Sequence, residues 1–137
     1  MVGRRLSSDD EILRYSWRVR GCLLGGAVGD ALGAPVEFLD RDEILARTGG
    51  APVRDFLPAR FGSLTGTGLI TDDTQMTLFV AEGIIRALVR EHRGLGFTVA
   101  VTDHALRRWL DTQEHPAPTG MRDGWLQAQA WLYSRRA

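Results

Sequence analysis

Thr71, Asp72, Asp73 and Thr74 set two adjacent carboxylates between two hydroxyls. Adjacent carboxylates repel, and hard oxygens this close in sequence are the ligand chemistry that Mg²⁺ or Mn²⁺ prefers. The same residues also suit an ordinary helix start. Thr71 is a good N-cap, and Asp72 and Asp73 in a first turn each gain roughly 0.3–1 kcal/mol against the helix dipole. The spacing fits a metal site and an acidic cap equally well.

A second candidate lies upstream, in the run from Gly21 to Phe38. Gly21, Gly25, Gly29 and Gly33 form one slowly rotating stripe if this segment is helical. Each glycine in a helix interior costs roughly 0.5–1 kcal/mol relative to alanine. Such a stripe implies a gain elsewhere: close packing of another helix, or close approach of a ligand. Asp30 ends the stripe and Glu37 follows the stop at Pro35, so both acids sit where the macrodipole is negative. A cation or a substrate hydroxyl would explain acids placed against the local field; surface solvation is the plainer alternative.

Other chemistries fit less well. A phosphate-cradling loop needs Gly-Lys-Ser/Thr, and no glycine here precedes a lysine. An Asp-rich diphosphate-binding helix needs a further acid near Met76. Asp103-His104 has the wrong order for a His-Asp phosphohydrolase pair, and His92, His104 and His115 are scattered, as polar surface residues are. Cys22 has no second thiol with which to form a disulfide or a metal pair.

The elements that must position these residues read as helices. Ser8 and Glu11 have capping-box spacing, and apolar residues recur helically from Ile12 to Leu32, with a break expected near Arg18–Arg20. Asp40 and Glu43 repeat the capping pattern for a short helix ending at Gly49-Gly50. Residues 51–70 show no period and carry Pro52, Pro58, Gly62, Gly66 and Gly68, which predicts a long irregular loop. A strong helix follows from Thr71 to about Gly94, with Met76, Phe79, Val80, Ile84, Ala87 and Leu88 on its apolar face. Another spans about Thr98 to Gln113, and a last short one opens at Trp125 and runs to Tyr133. With no sustained strand alternation, the expected class is all-α.

At 137 residues the chain suits one domain, and 44% apolar with 25% charged residues is ordinary for a soluble globular protein. Lys+Arg and Asp+Glu both number 17, so no net field argues for nucleic acid or an acidic membrane surface. The apolar stretch from Cys22 to Val28 is far shorter than the roughly 20 residues of a membrane span. No targeting segment is evident, and the expected setting is the cytoplasm.

Together, the run from Gly21 to Phe38 (GCLLGGAVGDALGAPVEF) and Thr71 to Met76 (TDDTQM) strongly resemble the ADP-ribosylglycohydrolase family, which includes the dinitrogenase reductase-activating glycohydrolases. The resemblance runs from about Arg18 to the last residue, with weaker signals at Trp109-Leu-Asp-Thr-Gln and Asp123-Gly-Trp-Leu. It implies an all-α orthogonal bundle with a binuclear Mg²⁺ or Mn²⁺ site in a central cleft. Thr71, Asp72 and Asp73 match the first metal-ligand group. Glu37 matches the acid on the mobile loop beside the substrate ribose, a catalytic and substrate-binding role, and Asp30 in the same motif is the other catalytic candidate. The implied reaction is Mg²⁺-dependent hydrolysis of the bond linking ADP-ribose to a protein side chain or small molecule.

The family supplies the other half of its metal site from an Asp-x-Asp-Thr/Ser segment near the carboxyl terminus, and no such segment occurs in these residues. The expectation is that residues 1–137 are the amino-terminal part of a single such domain. Such a part would turn over little substrate alone and would tend to associate through uncovered apolar faces. A non-catalytic ADP-ribose-binding module and an inactive fragment are the alternatives.

Overall fold

The computed structural model describes residues 8–62, 64–94, 98–119 and 124–129. Its elements follow in the order α1 (Asp9–Gly33), a 3₁₀ turn (Ala34–Val36), α2 (Arg41–Thr48), β1 (Pro58–Phe61), β2 (Leu64–Thr67), α3 (Asp72–His92) and α4 (Thr98–Glu114). The all-α expectation is met, with one small hairpin as the exception.

Local chemistry sets most boundaries. The Ser8 side chain accepts from the Glu11 amide at 3.2 Å and starts α1. Asp40 and Glu43 form a reciprocal capping box, both bonds at 2.9 Å, and Gly49 ends α2 at φ 64°, where a side chain would be strained. The break expected near Arg18–Arg20 does not occur: α1 is continuous there, because no residue in that stretch lacks an amide proton or resists helical φ/ψ. After α1 and its 3₁₀ turn the chain bends by 102° into α2.

The loop expected over residues 51–70 contains the β1–β2 hairpin. Phe61 pairs with Leu64 at its tip and Pro58 with Thr67 at its base. The Arg47 guanidinium donates to the Pro58 carbonyl at 2.6 Å and ties the hairpin to α2.

The core is the antiparallel pair α3–α4, the most extensive contact between elements. Its seam differs from the expected apolar face. Phe79 and Ala87 are buried, but Ile84 and Leu88 are exposed, and Gln75, Glu82 and Gly83 take the inward positions instead. They meet Val101, Ala105, Arg108 and Thr112 of α4, all buried. At Gly83 the helices approach so closely that a Cβ would lie 2.9 Å from that of Ala105 and 3.4 Å from the Thr102 Cα.

Buried Glu82 accepts from the amides of Trp125 at 3.0 Å and Leu126 at 2.9 Å. The described part of the helix expected from Trp125 is a turn, closed by the Ala128 amide on the Gly124 carbonyl at 3.2 Å. Residues 130–133 lie outside the described residues.

Helix α1 is sparsely covered. Trp17 is 62% and Leu24 67% exposed, Ile12, Leu13 and Val28 are exposed too, and Ala31 is its one buried residue. Cys22 is also exposed. Among the described residues no single helix is long and apolar enough to cross a membrane.

Two outcomes follow from this packing. Gly83→Ala should destabilise by about 1–3 kcal/mol, since the new methyl meets the Ala105 Cβ first and the α4 backbone next, and neither can move without shifting the helix. Gly25→Ala, whose Cβ would meet nothing within 4 Å, should leave stability unchanged or raise it by about 0.5–1 kcal/mol. Thermal unfolding followed by circular dichroism separates them. Exposed apolar area of this extent promotes association, so light scattering after size exclusion should give a mass above one chain. A monodisperse monomer would contradict that.

Candidate active site

The site is built where the end of α1 meets the start of α3. Four donors converge on the Asp30 carboxylate. Oδ2 accepts from the Thr71 amide at 2.9 Å, from the Thr74 amide at 3.3 Å and from the Thr74 hydroxyl, and Oδ1 accepts from the Thr71 hydroxyl at 2.8 Å. Oδ2 thus carries three donors and Oδ1 one, so the carboxylate is held chiefly through Oδ2. The placement also explains why an acid stands near the negative end of α1: its oxygens sit at the amino-terminal end of α3, among amides that have no partner inside the helix.

Thr71 is the N-cap of α3, and its hydroxyl both donates to Asp30 and accepts from the Asp73 amide at 3.3 Å. Asp72 and Asp73 stand exposed on the same first turn, whereas Thr74 and Gln75 are buried. The TDDTQM run thus divides by face, its carboxylates outward and its hydroxyl and amide inward.

A cleft of about 740 Å³ opens over this junction, walled by Gly26, Gly29 and Gly33 of α1 and lined by Glu37, Asp73 and Thr74. That is within the usual size of a small-molecule site. A Cβ at Gly29 or Gly33 would meet nothing within 4 Å, so the stripe is not packed against another helix of the described residues. At Gly29 and Gly33 it borders the cleft. Glu37, at the end of the 3₁₀ turn, is exposed and lines the same cleft as Asp73.

Of the expected site residues, Asp30, Glu37 and Asp73 line the cleft together. Thr71 lies in the junction below, and Asp72 lies beside Asp73. Among the described residues no three of His, Cys, Asp and Glu gather as a metal-holding group. The oxygens of Thr71, Asp72 and Asp73 nevertheless suit a hard divalent ion, since Mg²⁺ is commonly held by one or two carboxylates and keeps several waters.

Further positioning residues lie behind α3. Gln75 Oε1 accepts from Trp109 Nε1 and from Gln113 Nε2, each at 3.1 Å. Asp111 accepts from Gln127 Nε2 at 2.8 Å, from the Thr119 amide at 3.2 Å and from the Thr119 hydroxyl. The weaker sequence signals therefore mark residues packed behind α3: Trp109 and Gln113 bond Gln75, Trp125 and Leu126 bond Glu82, and Asp111 ties α4 to Thr119 and Gln127. Asp123 lies outside the described residues. Thr74 and Gln75 were legible only as parts of a motif, and no sequence signal separated their inward roles from the outward carboxylates.

Comparison with known proteins agrees with this arrangement. A sequence profile described as ADP-ribosylglycohydrolase matches residues 12–137. An uncharacterised protein of Archaeoglobus fulgidus is 46% identical over 71 residues, covering 52% of this chain and 22% of its own length. The ADP-ribosylarginine hydrolase Tri1 of Pseudomonas putida is 34% identical over 114 residues, covering 68% of this chain and 28% of that protein. The ADP-ribosyl-[dinitrogen reductase] glycohydrolase of Rhodospirillum rubrum is 39% identical over 74 residues, covering 49% and 22%. The matches thus span less than a third of each relative's length, and no solved structure matches significantly. With the profile covering nearly all of the sequence, and with both motifs meeting at one cleft, the chain belongs to the ADP-ribosylglycohydrolase family.

Proposed function

We propose that this chain carries the ribose-facing side of an ADP-ribosylglycohydrolase active site and acts on the bond joining ADP-ribose to a side chain of a modified protein. The observation behind this reading is the single cleft in which Glu37, Asp73 and a bare glycine wall share one junction. The names of the Pseudomonas and Rhodospirillum relatives add the substrate class.

In the reaction, water adds to the anomeric carbon of the ribose as the bond to the side chain breaks, through an oxocarbenium-like state. The proton lost by the water reaches the leaving atom. Glu37 is the carboxylate placed to hold a ribose hydroxyl or to carry that proton. The glycine wall lets a sugar lie against backbone. Thr71, Asp72 and Asp73 would hold Mg²⁺ or Mn²⁺, which when bound orients hydroxyls and lowers the pKa of water. The lone Cys22 and the absence of any paired thiol fit a cytoplasmic setting.

A second reading is a module that binds ADP-ribose without cleaving it, which would use the same cleft and glycine wall. One experiment separates the two. ADP-ribose binding is measured by calorimetry in Mg²⁺, and release of ADP-ribose from an arginine-modified protein is followed by chromatography. Release that needs Mg²⁺ and falls at least 100-fold in Asp73→Asn and Glu37→Gln is the outcome expected of an enzyme. Metal-dependent binding that Glu37→Gln weakens, without release, supports the module. Neither binding nor release would contradict both.

A further inference from the structure

Asp30 borders the cleft, but its carboxylate is tied to the start of α3. All four bonds to its carboxylate come from Thr71 and Thr74, two from backbone amides and two from hydroxyls. Oδ2 carries three donors and is fully occupied, while Oδ1 gives one of its two lone pairs to the Thr71 hydroxyl. The effect of the carboxylate falls first on the groups that donate to it. A threonine hydroxyl has one proton and two lone pairs. At Thr71 the proton goes to Asp30 and one lone pair accepts from the Asp73 amide, which leaves one lone pair and no donor. The Thr74 hydroxyl, which lines the cleft, also gives its proton to Asp30.

We propose that Asp30 is a positioning residue: by taking the proton of the Thr71 hydroxyl, it fixes that oxygen as an acceptor and so as a ligand for a divalent cation beside Asp72 and Asp73. This rests on the reading that those residues hold such an ion. The same carboxylate clamps the α3 amides to the end of α1 and so sets the distance from Asp73 to Glu37. Its role is exerted through Thr71 and the helix start. A neutral amide at position 30 would keep one acceptor oxygen but turn an N–H₂ group toward donors, breaking at least one of the four bonds and leaving the Thr71 proton without its acceptor.

The test is a titration of the chain with Mn²⁺, read by electron paramagnetic resonance of the free ion, with circular dichroism of each variant as the folding control. Asp30→Asn and Thr71→Val should each weaken binding about 10-fold or more, the range for loss of a group that orients a metal ligand. Thr71→Ser should bind as the native chain does. Because Asp30 acts through the hydroxyl, adding Asp30→Asn to Thr71→Val should cost little more. Native-like affinity in a folded Asp30→Asn overturns the proposal. So do losses that simply multiply in the double variant, since these would make Asp30 an independent ligand. If Asp30→Asn does not fold, equal binding by folded Thr71→Val and Thr71→Ser overturns it instead. Failure of the underlying reading looks different: the native chain binds no Mn²⁺, or binding survives the combined Asp72→Asn and Asp73→Asn. Binding that needs those aspartates but ignores position 30 sinks this inference alone.

Discussion

The bridge from Asp30 to Thr71 and Thr74 is the interaction on which the cleft depends. It joins residues 41 and 44 positions apart in the chain and fixes the last turn of α1 against the first turn of α3. Hydrogen bonds to a charged group contribute roughly 1.5–3 kcal/mol each when buried or partly buried, more than neutral ones. Here they also satisfy amides that the start of α3 would leave without intrahelical partners. With the junction made, Glu37 and the glycine wall have one possible relation to the exposed carboxylates. Without it, α1 has little else to hold it, because its contact with α3 is slight and its apolar side chains face outward.

Helix α3 is held from the opposite side by polar groups rather than by a broad apolar stripe. Gln75 receives Trp109 and Gln113, and Glu82 caps the turn at residues 124–128. Buried polar groups of this kind are costly unless satisfied, and satisfied networks fix one arrangement in preference to near alternatives. Gly83 lets α4 approach closely enough for those bonds to form. The outcome is a helix whose first turn presents carboxylates at a defined place, which is what metal or sugar chemistry requires.

Much of this was legible in the sequence where the cause is local. Ser8, Asp40 with Glu43, and Thr71 announced helix starts through side chains that reach only two or three residues along the chain, and Gly49 announced a stop. The hairpin at Pro58–Thr67 was not legible: its strands are four residues each, one opens on proline and the other contains glycine, and no apolar alternation marks them. The seam of α3 differs from the apolar reading because burial there follows hydrogen bonding, of Gln75 to α4 and of Glu82 to the turn at residues 124–128, so these residues rather than Ile84 and Leu88 lie inside. Asp30 was legible as a residue of interest from its place in the glycine run. Its partners were not, since nothing near position 30 points to position 71.

The central proposal is that the exposed carboxylates of Asp72 and Asp73, with the Thr71 hydroxyl that Asp30 orients, would hold a divalent cation. Crystals of the chain grown or soaked with Mn²⁺, with data collected for anomalous scattering, locate the ion directly. The account predicts a peak within coordination distance of Asp73 and of the Thr71 hydroxyl, with Asp30 still bonded to Thr71 and Thr74. A peak coordinated by Asp30, or a well-ordered cleft with none beside Asp72 and Asp73 at saturating Mn²⁺, would contradict it.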